Sequence, residues 1–253
     1  MLFKTTTTLS VLALTLTGAR AAPLEEKENG LVVINNCVNS GQIALTFDDG
    51  PFQYEGNIAS ELNGGKATFF LNGNNYECIF SQVDQIRALH AAGHTLGSHT
   101  WSHADLTTLD EAGINNELAR VEDAFIKILG LKPLYFRPPY GSINDLVLQV
   151  LAQRGYKKVF LWSDDTGDST GASVQSSESV YDGIVGSYPQ PHNVLNHSPI
   201  DTTAFQVVPY AVPRLQGAGY QLVAVDTCLG SEGEWPYVYV GEPGTPDDSW
   251  TCN

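Results

Sequence analysis

The sequence is poor in basic residues. Lys and Arg number 13 against 28 Asp and Glu, which gives a formal net charge of −15 at pH 7. A chain this acidic would repel a phosphate backbone, so nucleic acid is excluded as a partner. Methionine occurs only once, which argues against a Met-rich binding surface. Beyond the N-terminus no apolar run approaches the roughly 20 residues that a membrane span needs, so no membrane association is expected.

Charged residues of both signs are also scarce, at 16%, whereas hydrophobic residues make up 42%. This composition is enough to build a sizeable core and excludes a disordered chain. A length of 253 residues corresponds to one large domain or two small ones.

The N-terminus is typical of a secretory signal peptide. Lys4 supplies a positive charge, Leu9 to Leu16 form a short apolar stretch, and Ala19-Arg20-Ala21 is an A-x-A cleavage site. A short buried helix is the alternative. We predict a signal peptide over residues 1–21, an N-terminal leader over 22–36, and a secreted protein.

Secretion changes the interpretation of the four cysteines. In an oxidising compartment they predict two disulfides, for which three connectivities are possible. No spacing is C-x-x-C, which disfavours a thiolate zinc site. The cysteines are Cys37, Cys78, Cys228 and Cys252.

Short strand-like runs alternate with helical patterns from residue 31 to residue 228. This alternation predicts an α/β fold with a parallel sheet covered by helices. At this length a distorted (β/α) barrel of seven or eight parallel strands is favoured over an open doubly wound sheet. We therefore predict one domain over residues 37–228 and a C-terminal extension over 229–253. Expected helix starts are Ser81, the capping box Thr108-x-x-Glu111, and Asn144.

Polar clusters follow five of the predicted strands at their carboxyl ends. In a parallel barrel these ends open on one face, where active sites lie. Each cluster alone has a structural interpretation, such as a turn, a helix cap or a core histidine, but their common position indicates function. The clusters are Thr46 to Pro51, Ser98 to His103, Arg137 to Gly141, the aspartates Asp164, Asp165 and Asp168, and His197.

Asp48 and Asp49 are adjacent, so on an extended chain their carboxylates point in different directions. That arrangement suits two different roles, in which one carboxylate binds a metal and the other contacts a bound water. His99 and His103 have i, i+4 spacing, which places two imidazoles on one face of a helical turn. One carboxylate and two histidines form a common catalytic metal site with an open position for water.

These motifs together resemble the polysaccharide deacetylase family, which is also carbohydrate esterase family 4 or the NodB homology domain. Thr46 to Pro51 matches its first motif, His99-Thr100-Trp101-Ser102-His103 its second, Arg137-Pro138-Pro139-Tyr140 its third, and Leu195-Asn196-His197 its last. The match extends from about residue 37 to 228. One motif departs: the family's Asp-x-x-Asp-Trp is Asp165-Thr166-Gly167-Asp168-Ser169 here, so the aromatic residue is missing.

The resemblance implies that Asp49, His99 and His103 hold a divalent metal, zinc or another cation such as Co²⁺. Asp48 would be the general base, and Arg137 would keep it ionised through a two-pronged contact.

The resemblance also implies that the Tyr140 backbone N–H stabilises an oxyanion and that His197 protonates the leaving amine, with Asp168 or Asp165 as its partner. Leu195 would line the pocket for the acetyl methyl group. Trp101 and Tyr140 would offer faces to a sugar ring, and Trp162 could replace the missing aromatic.

The resemblance to secreted fungal chitin deacetylases implies that the substrate is chitin or chitooligosaccharide, from which acetate is released. Peptidoglycan and acetylxylan are alternative substrates, and a non-catalytic carbohydrate-binding protein is an alternative class. The same resemblance implies the disulfide Cys37–Cys228, which brackets the domain and leaves Cys78 to pair with Cys252. A monomer is expected, with a carbohydrate as its partner.

Overall fold

The computed structural model describes residues 25–27 and 31–253. The predicted signal peptide at residues 1–21 lies outside the described residues. One boundary of the prediction is wrong, because Leu31–Ile34 is a strand of the main sheet that pairs with Lys158–Phe160. The leader therefore cannot extend to residue 36, and the domain begins before Cys37.

The elements alternate between strand and helix along the described chain. The strands are β1 (Glu25–Lys27), β2 (Leu31–Ile34), β3 (Gln42–Gly50), β4 (Thr68–Leu71), β5 (Thr95–Ser98), β6 (Leu131–Pro133), β7 (Tyr135–Phe136), β8 (Lys158–Phe160), β9 (Asp164–Asp165), β10 (His192–His197), β11 (Gln221–Leu222) and β12 (Tyr237–Tyr239). The α-helices are α1 (Glu55–Glu61), α2 (Val83–Ala91), α3 (Glu111–Leu129), α4 (Asp145–Gln153), α5 (Val174–Gly186), α6 (Val208–Ala218) and α7 (Val225–Cys228).

Eight strands of the described chain run parallel in one curved sheet, in the order β2-β8-β7-β5-β4-β3-β10-β9. Strand β1 adds an antiparallel edge to β2, and β11 pairs with the start of β3. Helices cover the outside of this sheet, and the prediction of a distorted (β/α) barrel is confirmed.

The barrel is nearly closed rather than fully hydrogen-bonded. The chain leaves β8 at Phe160 and resumes pairing only at β9, which lies on the other side of the gap against β10. Side chains bridge the opening: Asn36 Nδ2 donates to the Pro191 carbonyl at 2.9 Å, and Asn193 Nδ2 donates to the Leu161 carbonyl at 2.9 Å.

Helix ends follow local hydrogen-bond chemistry. Asn144 caps α4 as predicted, since its Oδ1 accepts from the Val147 N–H. The predicted capping box is wrong, because α3 is capped by Asp110, whose carboxylate accepts from the Gly113 N–H. The Ser81 prediction is also wrong: a short 3₁₀ turn, Ile79–Gln82, precedes α2 and leaves Ser81 inside it.

Two disulfides hold the ends of the domain. They join Cys37 to Cys228 and Cys78 to Cys252, and the predicted connectivity is confirmed. The C-terminal segment also contributes β12, which pairs antiparallel with β6. No helix of the described residues is both long enough and apolar enough to cross a membrane.

Candidate active site

The carboxyl ends of the parallel strands surround a cleft of about 550 Å³. Its walls contain residues from all five predicted clusters. They include Asp48, Asp49, His99, His103, Pro138, Tyr140, Asp165, Leu195 and His197. The topology therefore brings together residues that are up to about 150 positions apart in sequence.

A bulge at the end of β3 makes the side chains of Asp48 and Asp49 point in different directions. The register with β4 shifts between Phe47 and Gly50, and Asp49 has a left-handed φ of 67°. Gly50 is required here because an added Cβ would lie 1.8 Å from the buried Glu55 Oε1. The bulge thus gives neighbouring carboxylates different partners.

Asp48 is paired with the buried Arg137. Arg137 Nη1 donates to Asp48 Oδ1 at 2.9 Å and to Thr46 Oγ1 at 2.7 Å. The expected two-pronged contact is wrong, because the other guanidinium nitrogens reach the Phe160 and Leu161 carbonyls. A single charge-assisted bond leaves Asp48 Oδ2 available to another partner.

Asp49, His99 and His103 form a candidate metal site. Each offers one ligand atom, and these atoms lie within 4.8 Å of one another. His99 Nδ1 bonds the Arg137 carbonyl at 2.7 Å, which leaves Nε2 facing Asp49. A second hydrogen bond of this kind orients histidine ligands in metal proteins, so the donor set fits a divalent transition metal.

The two histidines do not lie on a helical turn, and that prediction is wrong. Thr100 and His103 have φ angles of 70° and 58°, so the segment is an irregular loop. It still places the rings 5.0 Å apart, centroid to centroid. Helix α3 holds this loop, since the buried Glu117 accepts hydrogen bonds from both the N–H and the hydroxyl of Ser102 at 2.8 Å.

Burial sets the charge of the metal-site residues. It lowers the pKa of His99 and of His103, which favours the neutral imidazoles that bind metals. It raises the pKa of Asp49, although the neighbouring His99 and His197 act in the opposite direction. A bound cation would offset the desolvation of this carboxylate.

His197 is held by Asp168. Its Nδ1 bonds Asp168 Oδ1 at 2.7 Å, and its backbone N–H donates to Oδ2 at 2.8 Å. Burial alone would lower the pKa of His197, but the hydrogen bond and charge of Asp168 outweigh it and raise the pKa to about 9. Asp165 has a different partner, the Gly167 N–H, so it is not the residue that contacts His197.

Tyr140, Leu195 and Trp162 line the cleft as expected. Tyr140 has a left-handed φ of 60°, and its exposed ring contacts His103 edge-on at 4.7 Å. Trp101 does not line the cleft, and its assignment as a sugar platform is wrong. It is only 4% exposed, because it packs between the Gly73 backbone and the Arg120 guanidinium, which lies 4.0 Å from its ring centroid.

Several cleft residues were missed by the sequence analysis. Asn75 and Tyr76 form one wall, and Asn75 Nδ2 lies 3.4 Å from Asp49 Oδ1. Thr203 donates to Asp168 Oδ2 at 2.6 Å. Ser169, in place of the family's tryptophan, lies 3.3 Å from His197 Nε2. The asparagine lies outside regular helices and strands, and the serine and the threonine lie in short helical turns, so none of them carries a periodic signal that would identify it from the sequence.

The comparisons with known proteins agree with this geometry. Residues 35–159 match the family model for polysaccharide deacetylase. A chitin deacetylase of a Pestalotiopsis species is 37% identical over 224 residues, which cover 84% of this chain and 72% of that protein. A peptidoglycan-N-acetylglucosamine deacetylase of Bacillus cereus is 32% identical over 163 residues, which cover 63% of this chain and 57% of that protein.

A solved structure is similar over nearly its whole length. The chitin deacetylase of the fungal pathogen Colletotrichum lindemuthianum superimposes with a TM-score of 0.76 and 31% identity, covering 86% of this chain and 97% of that one. The chain belongs to the polysaccharide deacetylase family, and it is an enzyme of that class.

Proposed function

We propose that this enzyme is secreted and removes N-acetyl groups from GlcNAc residues of chitin or chitooligosaccharides, releasing acetate. The observation that carries the proposal is the pairing of Asp48 with His197 on adjacent strands β3 and β10, beside the candidate metal site. A general base and a general acid thereby lie side by side in a cleft open to a sugar.

Asp49, His99 and His103 would hold the metal, for which we propose zinc or another divalent cation such as Co²⁺. When bound there, it supplies Lewis acidity toward the acetyl carbonyl and makes a water more acidic. With only three protein ligands, a metal held there would have room for a water or a substrate oxygen, as catalytic sites of this kind require.

Asp48 takes the proton of the attacking water. Its Oδ1 is occupied by Arg137, so Oδ2 is the oxygen available for this transfer. The hydrogen bond from the buried Arg137 guanidinium fixes the orientation of the Asp48 carboxylate.

His197 acts as the general acid. Its Nδ1 faces Asp168, so the Nε2–H is the proton that can be given to the leaving amine. The backbone N–H of Tyr140 stabilises the oxyanion as the acetyl carbon becomes tetrahedral. Leu195 supplies an apolar wall for the methyl group, and Trp162 stands where a sugar ring can contact it.

The choice of chitin rests on similarity and on the compartment. Two of the relatives described above are named chitin deacetylases. Two disulfides suit an extracellular protein. The Bacillus cereus relative is named a peptidoglycan deacetylase, so peptidoglycan is the alternative substrate to test beside chitin.

The test is acetate release from chitin oligomers, peptidoglycan and acetylxylan by the purified, metal-loaded enzyme. We expect chitin oligomers to give the highest kcat/KM and a chelator to abolish the reaction. The Asp48→Asn variant serves as the control for contaminating activity. Faster release from peptidoglycan or acetylxylan would refute the substrate assignment, and activity that survives complete metal removal would refute the metal dependence.

A further inference from the structure

A row of four aromatic side chains extends from the cleft across the surface. Tyr76, in the cleft wall, contacts Phe52 with ring centroids 6.1 Å apart. Phe52 contacts Tyr54 at 4.8 Å, and Tyr54 contacts Phe205 at 5.1 Å. All of these contacts are edge-on, which is a favoured geometry for aromatic pairs. We call Tyr76, Phe52, Tyr54 and Phe205 the aromatic row.

The ends of the aromatic row stay exposed. Tyr76 is 54% exposed and Phe205 is 52% exposed. Phe52 and Tyr54, which lie between them, are half-buried. A partly exposed aromatic surface that continues a binding cleft is typical of a ligand-binding surface, because leaving it in water has a free-energy cost. The rings themselves carry no charge, so the patch suits an uncharged ligand with apolar C–H faces.

The aromatic row is built on well-anchored backbone. Tyr76 lies in a loop closed by the Asn74–Cys78 bridge and by the Cys78–Cys252 disulfide. Phe205 lies in a π-helical turn, Thr203–Val207, which Asn57 Nδ2 holds by donating to the Ala204 carbonyl at 3.0 Å. A surface fixed in this way loses little conformational entropy when a ligand binds.

We propose that the aromatic row binds sugar rings of the same polysaccharide chain on one side of the residue being deacetylated. The proposal rests on the proposed function, since it requires a GlcNAc polymer in the cleft. A neutral β-linked chain presents C–H faces to aromatic rings and hydroxyl groups to water, and the Tyr76 and Tyr54 hydroxyls can bond it. Long oligomers would then gain affinity that short ones do not.

The test compares substrate lengths. Acetate release from the chitin dimer and hexamer is measured with the metal-loaded wild-type enzyme and with Phe205→Ala and Tyr76→Ala. Removing one exposed ring should lower the ratio of hexamer to dimer kcat/KM by about three- to tenfold, mainly through KM of the hexamer. Tyr239→Ala is the matched control, because Tyr239 is a 65% exposed aromatic residue outside the cleft and the row; it should leave the ratio unchanged.

The outcomes separate the two hypotheses. If the wild-type enzyme releases acetate from both oligomers and Phe205→Ala and Tyr76→Ala keep its hexamer-to-dimer ratio, the aromatic row does not bind substrate and the inference is wrong. A Tyr239→Ala effect of the same size would also overturn it. If the wild-type enzyme releases no acetate from either oligomer, the proposed substrate itself is wrong, and this assignment of the row is overturned with it.

Discussion

Replacing Asp168 with asparagine tests whether one buried carboxylate keeps the proton on His197. The pKa of His197 is raised from an ordinary 6.5 to about 9, mainly because Asp168 overcomes the effect of burial. At 1.36 kcal/mol per unit, this shift corresponds to about 3 kcal/mol of preference for the imidazolium. Without the charge of Asp168, only Asp48 and Asp49 would still oppose the effect of burial, so the pKa of His197 should fall back toward its ordinary value.

The assay is the pH dependence of kcat, because a general acid must be protonated to act. We expect the alkaline limb of the Asp168→Asn variant to lie about two pH units below that of the wild-type enzyme. A cation bound at Asp49 would lower the pKa of His197 in both proteins, so the comparison is made at equal metal content. Ser169→Ala is the matched control, since it removes a neutral contact to the same ring. An alkaline limb that stays in place in Asp168→Asn would refute the pairing.

The His197–Asp168 pair also predicts how the stability of the fold changes with pH. A histidine whose pKa is raised in the folded state stabilises fully below its unfolded pKa of about 6.5, and that contribution is lost as the pH rises through about 9. The free energy of unfolding in urea should therefore fall by up to about 3 kcal/mol between pH 6 and pH 10 for this group. The Asp168→Asn variant should lose this part of the pH dependence.

Three further changes test other parts of the structure. Asp48→Asn should lower kcat by about 10²- to 10⁴-fold while retaining metal, whereas Asp49→Ala should lose both activity and metal. Metal content after dialysis distinguishes the two variants, and a metal-free Asp48→Asn protein would contradict the assignment. Replacing both Cys37 and Cys228 with serine should cost about 4–5 kcal/mol in urea unfolding, since the bond closes a loop of 191 residues, and a loss below about 1 kcal/mol would contradict this reasoning. Glu117→Ala should weaken metal affinity because the histidine loop loses two hydrogen bonds, so an unchanged metal Kd would show that the loop holds its shape without them.

The strands of the barrel could be predicted because their apolar, β-branched runs are a local signal. The runs Leu31 to Ile34 and Thr95 to Ser98, which predict strands, coincide with β2 and β5. The run Ile43 to Phe47 predicts a strand that β3 extends by one residue at its start and three at its end. Because parallel strands share one open end, their polar C-terminal residues could be placed in one cleft without knowing the strand order. The capping error at α3 has a local cause: Asp110 competes with Thr108 for the same helix end, and a carboxylate is the better cap.

The remaining features depend on contacts distant in sequence. Trp101 is an aromatic residue of the kind that stacks on sugar rings, but it is buried against the backbone of Gly73, 28 residues earlier in the sequence. The left-handed angles of Thr100 and His103 could not be predicted locally, since β-branched threonine disfavours that region and histidine adopts it only in a minority of positions. The Arg137 guanidinium spreads its bonds over β3 and the end of β8, which requires the sheet order.

The pairing of Asp48 with His197 has a consequence for how activity arises during synthesis. Asp48, the proposed base, emerges early, and His197, the proposed acid, emerges 149 residues later, yet they are register partners on neighbouring strands. A ribosome must therefore complete β10 before the proposed catalytic pair exists, and fragments ending before it contain the proposed metal ligands without the proposed acid. Acetate release therefore requires that β3 has paired with β10. The recovery of acetate release during refolding can be used to measure when this pairing occurs.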